Sequence, residues 1–189
     1  ALVREQHDRH VVLGEVEHGR LVAADPAAVA DTAVAHDGRA TTDAYLVLLN
    51  NDTRPSADWL GNLLKPFEDQ TVGAVSSSMR KMGRVPVIDS AGGALDTLGY
   101  TFDIGRDEPA SEWSEPAEIL FPCGGAMALR RAVLEDPRSV FWDVLFAYNE
   151  DTDLGLRVWK SGYRCIYQPS AVVEHALSAT AGQASRAQS

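Results

Sequence analysis

Tyr45-Leu46-Val47-Leu48-Leu49-Asn50-Asn51-Asp52 is the stretch from which the fold is read. The apolar run shows no polar alternation, which is the pattern of a central parallel strand covered on both faces. It stops abruptly at two amides and an acid. These groups therefore stand just past the carboxyl end of a buried strand, where open α/β sheets hold their ligands. Oxygen-ligated Mg²⁺ or Mn²⁺ needs only one or two protein carboxylates when ligand phosphates and water complete the shell, so Asp52 beside Asn50 and Asn51 suffices chemically. A second reading stands beside it, because Asn50-Asn51-Asp52-Thr53-Arg54-Pro55 has turn chemistry throughout.

Downstream, Pro55-Ser56 opens a helix whose apolar residues Trp59, Leu60, Leu63, Leu64 and Phe67 fall at spacings of three and four. A second buried strand covers 72–75. Residues 79–119 are rich in Gly, Pro, Asp and Glu, and predict a long irregular connection or short antiparallel strands. The small-residue stretch Cys123-Gly124-Gly125-Ala126 leads into an apolar segment, 127–134, in which Arg130 and Arg131 stay polar. A helix over 152–160 stops at Ser161-Gly162. Cys165-Ile166-Tyr167 makes a short strand, and Val172-Val173 leads to Glu174-His175. Upstream, Val11-Val12-Leu13 and Leu21-Val22-Ala23 form a hairpin about Glu17-His18-Gly19, followed by a helix that starts at Asp25-Pro26 and runs to Ala35. The tail from Ala176 is small and polar. Element order predicts one mixed α/β domain.

Composition narrows the function. The chain has 189 residues, 45% of them hydrophobic, and a net charge of −10, so nucleic acid is not a partner, since phosphate backbones are bound by clustered Lys and Arg. A small phosphorylated ligand remains compatible if acids hold a cation that neutralises it. The two cysteines, Cys123 and Cys165, lack the neighbours of a zinc site. No apolar run approaches the roughly 20 residues that span a bilayer, and no leader pattern opens the chain, so the expected location is the cytoplasm.

Three further segments can carry chemistry. Asn149-Glu150-Asp151 with Asp153 puts three carboxylates in one turn at a helix start. The helix dipole explains one or two of them as caps; with Phe146 and Tyr148 alongside, they also provide a general base in a partly apolar pocket. His175, after two valines and a glutamate, can present a neutral imidazole to a transition metal, or can be a plain surface or core residue. Gly124-Gly125 lets backbone approach a ligand closely or marks tight strand-to-helix packing. Glycine-rich phosphate loops, the dinucleotide fingerprint and the Gly-x-Ser-x-Gly elbow are missing.

Read together and in order, these segments resemble family 2 glycosyltransferases, especially their rhamnosyltransferase-like bacterial branch. Tyr45-Leu46-Val47-Leu48-Leu49-Asn50-Asn51-Asp52-Thr53 looks like that branch's form of the Asp-x-Asp motif, and Gly124-Gly125-Ala126-Met127 like its acceptor-side loop. Phe146-Ala147-Tyr148-Asn149-Glu150-Asp151 looks like its Glu-Asp motif, and Val172-Val173-Glu174-His175 like its late histidine. The resemblance implies a GT-A fold, a mixed sheet flanked by helices, and a metal-dependent inverting transfer of sugar from a nucleoside diphosphate donor to a hydroxyl of a glycan or glycolipid acceptor. It implies that Asp52 and His175 hold Mg²⁺ or Mn²⁺, that Asn50, Asn51 and Asp52 meet the donor, that Gly124, Gly125 and Glu150 border the acceptor, and that Asp151 is the base. Cell-surface polysaccharide or glycolipid assembly is the implied setting, with peripheral contact at the inner face of the membrane left open.

Residues 1–42 depart from the family, whose opening strand and nucleobase-binding segment have no counterpart there. The expected division is a diverged or rebuilt segment over 1–42, a catalytic core over 43–182 and a flexible tail over 183–189. Two rivals remain: a non-catalytic GT-A-like binding or scaffold domain, and a nucleotidyltransferase, whose basic glycine-rich loop is not found here.

Overall fold

The computed structural model describes residues 11–17, 20–23, 45–50, 52–134, 140–141 and 149–176, the first two stretches as backbone alone. Strand β1 (Val11–Glu17) turns back into β2 (Arg20–Ala23), with Glu17 opposite Arg20, as the alternation predicts. The helix expected over 26–35, the tail, Asn51, Phe146 and Tyr148 lie outside the described residues.

Strand β3 (Tyr45–Asn50) is buried on both faces. Leu46 and Leu48 enter one apolar cluster with Met127, Leu129, Leu154 and Tyr167, while Val47 enters a second with Trp59, Leu63, Phe67 and Val173. This is the period-two geometry of a strand between two layers, and each such side chain contributes roughly 1.5–3 kcal/mol by leaving water. Its hydrogen-bonded neighbours are not parallel, however. β1 and a later strand flank β3, and both run antiparallel to it. An apolar run reports cover on both faces and carries no information about neighbour direction.

Pro55 belongs to the short edge strand β4 (Thr53–Pro55), where a missing N–H is tolerated, so α1 (Trp59–Leu64) starts later than its sequence signal. Pro66 cannot extend the helix, and Phe67 is carried on the following 3₁₀ turn, Lys65–Glu68. Strand β5 (Val72–Lys81) runs well past 75, through three consecutive buried serines. Each hydroxyl has a partner: Ser76 Oγ accepts from Cys123 N at 3.0 Å, Ser77 Oγ from Trp59 Nε1 at 2.9 Å, and Ser78 Oγ lies 3.1 Å from the Tyr167 hydroxyl. Buried polar groups with partners cost little, so the strand continues.

The glycine-rich region resolves into short antiparallel strands: β6 (Val87–Ser90) on β5, a separate hairpin of β7 (Gly93–Leu95) and β8 (Thr101–Asp103), and β9 (Ala117–Ile119). Then come β10 (Ala126–Arg130), α2 (Glu150–Lys160) and β11 (Arg164–His175). The segments expected as two short pieces at 165–167 and 172–173 are one strand, with a register shift between Gln168 and Val172 around Pro169. Among the described residues the main sheet has nine strands, in the order β2-β1-β3-β10-β5-β11-β4, with β6 and β9 added on β5 and β11. β10 runs antiparallel to both β3 and β5, and β11 parallel to β5. Hence β3, β5 and β11 end, and β10 begins, at one edge.

Arg130, polar within the apolar segment, is nonetheless buried, at 2% exposed. Its guanidinium donates to Val72 O at 3.0 Å, Phe67 O at 2.8 Å and Asp69 O at 3.3 Å, and lies over the Phe67 and Tyr45 rings. Carbonyls and π faces replace its hydration, and the turn after α1 is thereby tied to the sheet. Cys123 and Cys165 are free thiols, and among the described residues no helix is long and apolar enough to cross a membrane.

Candidate active site

Pairing of β4 with β11 sets Thr53 opposite His175, and Ala176 N donates to Asp52 O at 2.9 Å. Asp52, which follows β3 closely in sequence, is thus brought to the end of β11, and its Oδ2 lies 3.2 Å from His175 Nε2. The other ring nitrogen, Nδ1, is 2.7 Å from Asp89 Oδ2. That hydrogen bond is the main cause of His175 titrating above its ordinary value, with the nearby charges of Asp52 and Asp89 adding to it and burial opposing. The same bond holds the Asp89 carboxyl below the usual range against its burial. Among the described residues, no group of three or more His, Cys, Asp or Glu side chains has the geometry to hold a metal ion; Asp52 and His175 bring one carboxylate oxygen and one ring nitrogen within 3.2 Å of each other.

A few residues along the same edge, the start of β10 meets the start of α2. Asn50 N donates to Gly125 O at 2.9 Å, and Gly124 N approaches Asp151 Oδ2 at 3.4 Å. Asn50, Gly124, Gly125 and Asp151 are therefore neighbours. The two glycines differ in what they do. A Cβ on Gly125 would stand 2.8 Å from Met79 Cε, so its first role is packing, whereas one on Gly124 would meet only Asp151, at 3.7 Å.

Asn149, just before helix α2, has φ of 75°, and its Oδ1 lies 3.2 Å from Thr101 Oγ1 of β8. The helix lies close to the chain at Leu120 and Phe121 because Gly155 has no side chain; a Cβ there would come within 2.7 Å of Leu120 O. This fixes the position of Glu150 and Asp151. Burial raises the Asp151 carboxyl above its ordinary value, the neighbouring charge of Glu150 adding to the effect and the N–H groups of Gly124 and Thr152 opposing it. Such a carboxyl is the better proton acceptor for a hydroxyl. Glu150 Oε2 is buried without a hydrogen-bond partner. Asp153, the third acid of that turn, is spent in a 2.9 Å ion pair with Arg157.

Sequence reasoning missed Asp89, Asn149 and Asp103, the last of which adds to the field on Asp151. A single acid inside Val87-Ile88-Asp89-Ser90, in a run otherwise suited to a strand, was the available sign for the first. Asn51 lies outside the described residues.

The edge so built, an acid after a buried strand in contact with the imidazole that closes the last strand, and a helix-borne carboxylate at Gly124 farther along it, sits on a mixed sheet with α1 and α2 on opposite faces. The solved structure of GalNAc-T7 with UDP, GalNAc and Mn²⁺ superposes with a TM-score of 0.52 at 15% identity, covering 70% of this chain and 27% of that one, and the fold is GT-A-like. The model of glycosyl transferase family group 2 matches residues 45–188, and the chain belongs to that family. It is 29% identical over 153 residues to the pre-mycofactocin glycosyltransferase of Mycobacterium tuberculosis, in strains CDC 1551 / Oshkosh and ATCC 25618 / H37Rv alike. The matched region is 79% of this chain and 30% of those relatives, so this chain spans under a third of their length.

Proposed function

We propose that the chain carries the catalytic core of a metal-dependent, inverting glycosyltransferase of the rhamnosyltransferase-like branch, which moves a sugar from a nucleoside diphosphate to a hydroxyl of a glycan or glycolipid. The observation that carries this reading is the convergence of Asp52 and His175 at the same sheet edge that holds the raised carboxyl of Asp151. Family membership supports the transfer chemistry, and GalNAc-T7, solved with UDP and Mn²⁺, supports both the donor class and the cation.

The donor atoms fit a divalent cation. Asp52 offers a carboxylate oxygen and His175 an imidazole nitrogen, a mixed set suited to Mn²⁺, and two protein ligands suffice when diphosphate oxygens and water take the other positions. A bound cation would neutralise charge on the leaving diphosphate. Asn50 borders the donor, and Glu150 and Gly124 border the acceptor. Asp151 takes the acceptor hydroxyl proton as that oxygen attacks the anomeric carbon from the face opposite the diphosphate, which inverts the centre. In this reading the core is 43–182, most of which lies within the family match over 45–188, and 1–42 is a diverged or rebuilt segment. Polysaccharide or glycolipid assembly remains the proposed setting.

Asp151→Asn tests the assignment. Nucleoside diphosphate and Mn²⁺ binding stay within about twofold, and transfer falls by about 10²–10⁴, the range general base catalysis supplies. Unchanged turnover would remove Asp151 from the chemistry.

A further inference from the structure

We propose that Asp89 is a positioning residue that keeps the ring proton of His175 on Nδ1 and so turns the Nε2 lone pair toward Asp52. The inference rests on the metal reading above and names a residue that neither the sequence motifs nor the family resemblance points to.

The backbone aims Asp89 deliberately. Between β5 and β6 the register steps from Met79 opposite Ser90 to Arg80 opposite Ile88, which leaves Asp89 as the extra residue of a bulge. Bulges re-aim a side chain that regular pleating would send elsewhere. From the bulge the carboxylate reaches across β5 to the end of β11, where it meets the imidazole. Asp89 is 6% exposed, and an acid removed from water is costly unless it is paired. Its Oδ2 has the 2.7 Å contact to Nδ1, while Oδ1 has no hydrogen-bond partner and lies 3.6 Å from Arg106 Nη2. Arg106 also pairs with Asp103, so the carboxylate is steadied from the far side.

A neutral imidazole carries one N–H. Both of its nitrogens face carboxylates here, and the closer one, Asp89, takes the proton. Nε2 and Asp52 Oδ2 then oppose one another at 3.2 Å as two lone-pair groups, an arrangement that favours a cation between them. A carboxylate behind a ligating histidine fixes ring and tautomer in this way, and its loss typically costs about 10- to 100-fold in metal affinity.

The test has two readouts on the full chain, neither of them activity. In metal-free protein at alkaline pH, ¹H–¹⁵N spectra of the imidazoles, with His175→Gln to assign the signal, show the proton on Nδ1 in the wild type and shifted toward Nε2 in Asp89→Ala. Calorimetry with Mn²⁺ alone gives about a 10- to 100-fold weaker Kd for Asp89→Ala, and an intermediate loss for Asp89→Asn, which keeps an acceptor but not the charge. If Asp89→Ala does not fold, Asp89→Asn decides. A wild-type ring protonated on Nε2, or Asp89 variants with wild-type Mn²⁺ affinity, overturns the proposal. Wild-type protein that binds no Mn²⁺ overturns instead the metal reading, and the ring spectrum still decides whether Asp89 sets the tautomer.

Discussion

His175 Nε2 lies 3.2 Å from Asp52 Oδ2, although 123 residues separate the two in the chain. Strand pairing alone produces the meeting, because β4 leaves Asp52 directly and aligns Thr53 with His175. Asp52→Asn and His175→Ala therefore each weaken Mn²⁺ binding by about tenfold or more, equivalent to roughly 1.4 kcal/mol, while thermal unfolding stays cooperative. Calorimetric titration of the two variants checks this, and wild-type affinity in both would separate the pair from any metal.

Asp151 should weaken the fold that it serves. Its carboxyl titrates above the ordinary value because burial and Glu150 disfavour its charge. A group whose folded pKa exceeds its unfolded pKa lowers stability as pH rises through that interval, and the penalty persists above it. Asp151→Asn thus unfolds at the same or a higher temperature than wild type at neutral pH, even as transfer is lost. The acid limb of wild-type kcat/KM lies above the ordinary carboxylate value, because the base must be ionised to act. A limb at or below that value, or a clearly lower unfolding temperature for the variant, would mark Asp151 as a structural cap.

Gly155→Ala pushes α2 off Leu120 and Phe121, since the added methyl carbon meets backbone at 2.7 Å. Overpacking of this kind costs about 1–3 kcal/mol and displaces Glu150 and Asp151 together. Gly124→Ala, whose methyl group meets only Asp151 at ordinary contact distance, changes stability by about 0.5 kcal/mol or less. Denaturant unfolding of the two variants distinguishes them, and equal midpoints would refute the packing argument.

Arg130→Ala removes the donor that the buried Phe67 and Val72 offer their carbonyls to, while Asp69 O keeps Val72 N as its partner. The cost is about 3 kcal/mol, and Lys does not restore it, because its single head group lacks the planar fork that reaches all three carbonyls. Chemical denaturation reads this directly.

How far the sequence alone reaches is clear from these residues. Asp52, Asp151 and His175 could be singled out because each stands at the end or the start of a patterned element, and the structure brings Asp52 and His175 together; Leu46 to Leu48 showed burial on both faces. The burial of Arg130 and the continuation of β5 through Ser76 to Ser78 were not legible, since partners that satisfy a buried polar group come from distant elements and leave no local mark. The direction of the neighbours of β3 was hidden for the same reason. Asp89 carried one local sign, an acid in a strand-like run, but its aim at His175 was out of reach because a bulge depends on register between strands, which neither strand encodes alone.

The most direct test of metal-dependent sugar-nucleotide chemistry is calorimetric titration of the chain with the diphosphates of uridine, thymidine and guanosine, with Mn²⁺ and again with chelator. Binding of at least one nucleotide that needs Mn²⁺ and is lost in Asp52→Asn is the predicted result; binding unchanged by chelator, or none under either condition, would contradict it.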